Sequence, residues 1–126
     1  MSDTFLVFFE DQNCDLSKAI ASLEKYSFIV ENNNNSLLAA QGEFVFDITL
    51  SRENHVLEEA KEIGLETEYS QEMSLCNSRF EVQVTDLDEA LDEMNTLIDI
   101  QFALQKASKG YLFVCWSDSL TAPYTN

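Results

Sequence analysis

Apolar and polar positions follow two rhythms along the chain, and each rhythm predicts an element. Thr4 to Phe9, TFLVFF, is an unbroken apolar run of the kind a strand buried on both faces would show. DLSKAIASLEKY then places Leu16, Ala19, Ile20 and Leu23 at helical spacing, with Asp15 positioned to cap. SFIVE reads as a strand, NNNN (Asn32 to Asn35) as a turn, and SLLAA, QG and EFVFDITL as strand, tight turn and strand. In the last of these Phe44, Phe46, Ile48 and Leu50 share one face, while Glu43, Asp47 and Thr49 share the other.

A second helix is predicted over SRENHVLEEAKEIG, with Ser51 available as a cap. Val56, Leu57, Ala60 and Ile63 form its apolar side, and Gly64 ends it. TEYSQEMSLC and RFEVQVT are read as two strands turning at Asn77-Ser78, with Phe80, Val82 and Val84 inward and Arg79, Glu81 and Gln83 outward. A long third helix starts at Asp86, where Asp86 and Glu89 resemble a capping box, and finishes near Lys106, Lys109 and Gly110. Its core-facing sector is Leu87, Ala90, Leu91, Met94, Leu97, Ile98 and Phe102. YLFVCW (Tyr111 to Trp116) is a final apolar strand.

Hairpin-linked strands with helices between them indicate an α+β fold: residues 1–117 as a single domain, a largely antiparallel sheet with about three helices packed mainly on one face. Residues 118–126 are expected to be a flexible C-terminal tail. With 126 residues, 45% of them hydrophobic and nine of them Phe, the chain is long enough to close a core without disulfides or metal. Cys14, Cys76 and Cys115 are an odd, scattered set, which points to free thiols and a reducing, cytoplasmic setting. The N-terminal apolar run is too short for a membrane helix and lacks the basic start of a signal peptide.

Charge changes the picture more than composition does. The net charge is −16, and it is uneven: residues 51–100 hold fourteen acids and three bases, whereas residues 101–126 hold one acid and two lysines. Such a field repels nucleic acid and anionic membranes and attracts basic surfaces. The densest stretch is DLDEALDEMNTLID (Asp86 to Asp99), with six acids and no base. Asp88, Asp92, Asn95 and Asp99 line up on another face of this third helix, flanked by Glu89 and Glu93. Glu58, Glu62 and Glu66 add a second acidic helix face. Two readings of these faces stand open. A solvated surface accounts for the early acids through the helix dipole, which fades after the first turn. A partner-binding surface accounts for the later ones, Asp92, Glu93 and Asp99, whose like-charge neighbours otherwise only destabilise the helix.

Catalytic and metal chemistry find little support. As an EF-hand, DLDEALDEMNTL has Leu91 where Gly is needed and Leu97 where a bidentate Glu is needed. His55 is the only histidine, so no two-histidine metal site exists. Three glycines, all at element ends, cannot build a phosphate-cradling loop. No cofactor is expected and an enzyme is disfavoured. Trp116 and Tyr124 are read either as binding anchors or as aromatic cover for the sheet.

In size, charge, strand order and the acidic DLDEALDEMNTLID after RFEVQVT, the chain resembles the small acidic immunity proteins of bacterial toxin–immunity systems. The resemblance implies a dedicated basic partner, a toxin domain that could be a nuclease, held inactive by one-to-one binding to a monomer or weak dimer. It assigns no contact residue by position. Two alternatives remain: a nucleic-acid mimic that occupies a defence enzyme, and a small-molecule-binding α+β domain with an internal pocket.

Overall fold

A computed structural model describes residues 3–34, 36–84 and 86–123. Seven strands form one fully antiparallel sheet: β1 (Thr4–Phe9), β2 (Ile29–Asn33), β3 (Ser36–Gln41), β4 (Phe44–Ser51), β5 (Ser78–Val84), β6 (Tyr111–Val114) and β7 (Ser119–Thr121). Their spatial order is β2-β3-β4-β5-β1-β6-β7. The chain is a single small α+β domain.

β1 lies between β5 and β6, antiparallel to both, with Val7 opposite Phe80 on one side and Leu112 on the other. β5 and β6 therefore run the same way, and a hairpin cannot join them. The connection is a helical crossover, α4 (Leu87–Asp92) and α5 (Met94–Ser108). Toward the other edge, two-residue turns suffice. Asn34 takes φ +65° between β2 and β3, and Gly42 takes φ +62° between β3 and β4. Both are left-handed conformations that Asn and Gly adopt at least cost.

The apolar run of β1 feeds two cores. Phe5, Val7 and Phe9 enter a large one with Phe46, Ile48, Phe80 and Val82. This core is closed by α1 (Leu16–Lys25) through Ala19 and Leu23, and by α5 through Leu97, Ile100, Ala103 and Leu104. Leu6 and Phe8 enter a small core on the opposite face with Val56 and Ala60 of α2 (Asn54–Gly64) and Met73 of α3 (Ser70–Met73). With α4, whose Ala90 is buried in the large core, three of the five α-helices among the described residues share that face. Asp15 caps α1, its carboxylate accepting from the Lys18 N–H at 2.9 Å, as the spacing predicts.

The structure differs locally from the sequence reading. Asn32 and Asn33 extend β2 where a turn was expected, and Asn35 lies outside the described residues. Ser78 begins β5 rather than turning a hairpin, and Cys115 and Trp116 lie past the end of β6. TEYSQEMSLC contains helix α3 rather than a strand. Met73 and Cys76 are both buried in the small core with Tyr69 against it, which is helical spacing. Ser51 ends β4, and the residue at the N-cap of α2 is Glu53, with no side-chain cap bond. Residues 119–121 pair with β6 as strand β7, where a tail was expected; Leu120 packs on the small core and supplies the apolar contact. Of the rest of that tail the structure describes Asp118, in the turn before β7, and Ala122 and Pro123, outside any element; Tyr124 to Asn126 lie outside the described residues. A further difference, a break in the acidic helix, bears on function.

Candidate functional site

The acidic stretch is two helices, not one. Asp86 caps α4, its carboxylate accepting from the Glu89 N–H at 3.1 Å. Helix geometry then ends at Glu93, where φ is −113° and ψ 62°. The Glu93 N–H closes α4 onto the Glu89 and Ala90 carbonyls, while its own carbonyl accepts from Thr96 N–H to begin α5. The break leaves Ala90 and Leu97 buried in the large core. It turns Leu91 and Met94 out of the sector predicted for them: they are 39% and 45% exposed.

Of the predicted partner residues, Asp88, Glu89, Asp92, Glu93 and Asn95 are exposed and Asp99 is half-buried. The single line of Asp88, Asp92, Asn95 and Asp99 is divided between two helix axes. What the break leaves instead is a corner at which exposed carboxylates adjoin two exposed apolar residues, Leu91 and Met94, along the chain. Among the described residues, no lysine or arginine forms an ion pair with any acid of this corner.

Beside it lies a notch of about 260 Å³ between the start of β4, the end of β5 and α4. Glu43, Asp86 and Glu89 rim it, and Phe44, Val45 and Val84 supply its apolar lining. Carboxylates around an apolar floor suit the two parts of an arginine or lysine side chain, whose stem packs on apolar surface while its head takes charge-assisted hydrogen bonds.

Glu58, Glu62 and Glu66 are also exposed, but they belong to α2 and the loop after it, on the opposite side of the sheet. Lys61 interrupts them. The structure therefore does not unite the two predicted acidic groups in one surface.

One cluster escaped the sequence reading. Arg79 sits at an outward position of β5, yet it is buried, because α2 covers that part of the sheet. Its guanidinium is bonded to Glu59, donates from Nε to Glu81 Oε2 at 2.8 Å, lies 3.3 Å from His55 Nε2, and stacks 5.6 Å from the centre of the Phe8 ring. Burial disfavours its charge, but the hydrogen bonds it donates to Glu59 and Glu81 outweigh that, so Arg79 holds its proton even more firmly than usual. The cluster clamps α2 to β5. The sequence signal for it was a lone base on a strand of otherwise neutral or acidic outward residues.

Beyond α2 the same sheet face is open, forming a polar groove of about 510 Å³ that includes Thr4, Asp47, Thr49, Glu81 and Gln83. His55 contacts Glu53 at 3.2 Å, and its Nε2 faces the Arg79 guanidinium. That pairing contains no nucleophile. Trp116 packs edge-to-face on Phe5, with ring centres 6.5 Å apart, and so covers the large core.

No helix among the described residues is long and apolar enough to cross a membrane. Comparison with protein-family models, curated proteins and solved structures finds no match for this chain.

Proposed function

We propose that this chain is a non-enzymatic, acidic inhibitor that binds a basic protein, in the manner of an immunity protein covering a toxin domain. The observation that carries the reading is the α4–α5 corner, where exposed carboxylates with no ion-pair partner among the described residues stand beside the exposed Leu91 and Met94. Protein interfaces combine an apolar centre with a polar rim, and charge on the rim speeds encounter and selects partners. A nucleic-acid mimic needs a run of carboxylates and gains nothing from two apolar side chains among them, so the corner favours a protein surface as its complement. The acids of Asp88, Glu89, Asp92 and Glu93 would meet lysines and arginines, the notch beside Glu43 would receive one long basic side chain, and Leu91 and Met94 would supply the desolvated centre. Glu58, Glu62 and Glu66 contribute through the long-range field, from the far side of the sheet.

The test is capture followed by inhibition. Immobilised protein is offered a lysate at low ionic strength and eluted with salt, and each retained protein is produced pure. Its activity is then assayed with wild type and with an Asp88→Lys, Asp92→Lys variant. The reading expects one basic protein, silenced by an equimolar amount of wild type and released by the variant. Retention of several unrelated nucleic-acid enzymes would instead favour the mimic. Inhibition unchanged by the reversal would remove the corner from the interface.

A further inference from the structure

Most of the lysines of this acidic chain converge on one place. Four of its five lysines, Lys18, Lys25, Lys106 and Lys109, line a single groove of about 420 Å³ between α1 and the C-terminal end of α5. Among the described residues, no carboxylate lines the groove. Both arginines and the histidine have acidic partners: Arg52 with Asp11, Arg79 with Glu59 and Glu81, His55 with Glu53. None of the four lysines has one among the described residues. The Lys18 ammonium donates to the Asn13 carbonyl at 3.1 Å, and that of Lys106 stands 5.8 Å from the centre of the Tyr26 ring.

Helix dipoles account for part of this placement. Lys25 and Lys106 lie in the last turns of their helices and Lys109 is the C-cap of α5, where cations are favoured. Lys18 is in the first turn of α1, the end that disfavours a cation, and it converges on the same groove. Lys18, Ala21, Ser22 and Lys25 follow the 0, 3, 4, 7 spacing of one helix face, so α1 presents a complete basic stripe with small residues between. Ala21, Ala107 and the Tyr26 ring provide the apolar part of the lining.

We propose that this groove binds a small, multiply charged phosphate compound, at a site separate from the acidic corner. Four ammonium groups with no acidic partner among the described residues call for more than one negative charge. The volume lies in the range of small-molecule pockets, and the alanines and Tyr26 offer a surface for the uncharged part of such a ligand. Size discriminates further. Charges are screened over about 8 Å at physiological ionic strength, so a compound that fits inside the groove feels chiefly its lysines. A nucleic acid or an anionic membrane extends beyond it and meets the remaining surface of a protein with a net charge of −16. Because the C-terminal ends of α1 and α5 at this groove present carbonyls, attraction rests chiefly on the ammonium groups, and binding should weaken steeply with salt.

Tripolyphosphate is the probe. Titrated into isotope-labelled protein at low salt, it should give saturable amide shifts centred on Ala21, Ser22, Ala107 and Lys109. A Lys25→Gln, Lys106→Gln variant changes only exposed side chains, so its circular dichroism should match wild type. Its affinity should fall at least about tenfold, the scale of two lost charge-assisted contacts. Sedimentation with vesicles rich in anionic phospholipid should leave the protein in the supernatant. Absence of saturation, shifts centred elsewhere, equal binding by the folded variant, or vesicle binding without tripolyphosphate binding would each overturn the proposal.

Discussion

At Gly110 it is space rather than backbone angle that demands glycine. A Cβ there would stand 2.6 Å from Val7 Cγ1 and 2.8 Å from the Phe8 carbonyl oxygen, because the chain leaving α5 passes directly against β1. The carbonyl belongs to the middle of the sheet and cannot swing aside. Gly110→Ala should therefore destabilise the fold by about 1–3 kcal/mol, the usual cost of overpacking, read from the urea midpoint. The buried thiols offer a second test. Burial pushes Cys14 up from 9.0 to about 11 and Cys76 to about 12. A group whose folded pKa is raised binds its proton more tightly when folded. Its contribution is complete below the unfolded value near 9 and is lost as pH rises through the folded values. Stability should fall as pH rises above 9, and Cys76→Ala should flatten that fall relative to its own neutral-pH value. Below pH 9 both thiols should resist a disulfide-exchange reagent in the native protein, and all three should react once it is unfolded. A full native reaction at the rate of an exposed thiol would contradict the burial.

At the scale of elements, α4 is the most dependent on local chemistry. Six residues make too short a helix to persist on propensity, and only Ala90 of α4 is fully buried. Its capping bond from Asp86 carries unusual weight. Asp86→Ala should cost about 1 kcal/mol, within the range measured for lost N-caps, and should open α4 without opening α5. Amide hydrogen exchange checks this: rates across 88–93 should rise while those across 97–107 stay fixed, and a uniform rise would mean that the two helices open as one. The same pair shows what the sequence could and could not disclose. The cap was legible because Asp86 and Glu89 stand at the required spacing. The break at Glu93 was not, because apolar residues keep a helical period on both sides of it, and one non-helical residue leaves no mark in that period. β1 was legible as a doubly buried strand from its composition alone. Arg79 was not, since its burial comes from the docking of α2, a contact between residues 20 apart whose alternation pattern pointed outward. The α3 segment carried its helical spacing in Tyr69, Met73 and Cys76 but was outweighed by the strand expected beside RFEVQVT.

For the whole molecule, the decisive question is whether its charge acts as a field or as a contact. The two acidic groups make the question answerable, because the sheet separates them. Asp88→Lys with Asp92→Lys alters the α4–α5 corner; Glu58→Lys with Glu62→Lys alters the exposed side of α2. Each pair removes two acids and adds two lysines, so the variants have the same net charge. All four positions are exposed, and such substitutions usually shift stability by under about 0.5 kcal/mol each. Steering depends on the summed field, so both variants should associate more slowly with a basic partner, and both differences should shrink as salt rises. Dissociation depends on groups in contact, so only the corner variant should leave the partner markedly faster, with a loss of several kcal/mol in a desolvated interface as the scale to expect. The measurement is association and dissociation rates for wild type and both variants at two salt concentrations, with circular dichroism as the folding control. Faster dissociation confined to the α2 variant would move the interface to the other side of the sheet. Unchanged dissociation in both would leave the acids as a field alone, and the contact surface would have to be sought elsewhere on the molecule.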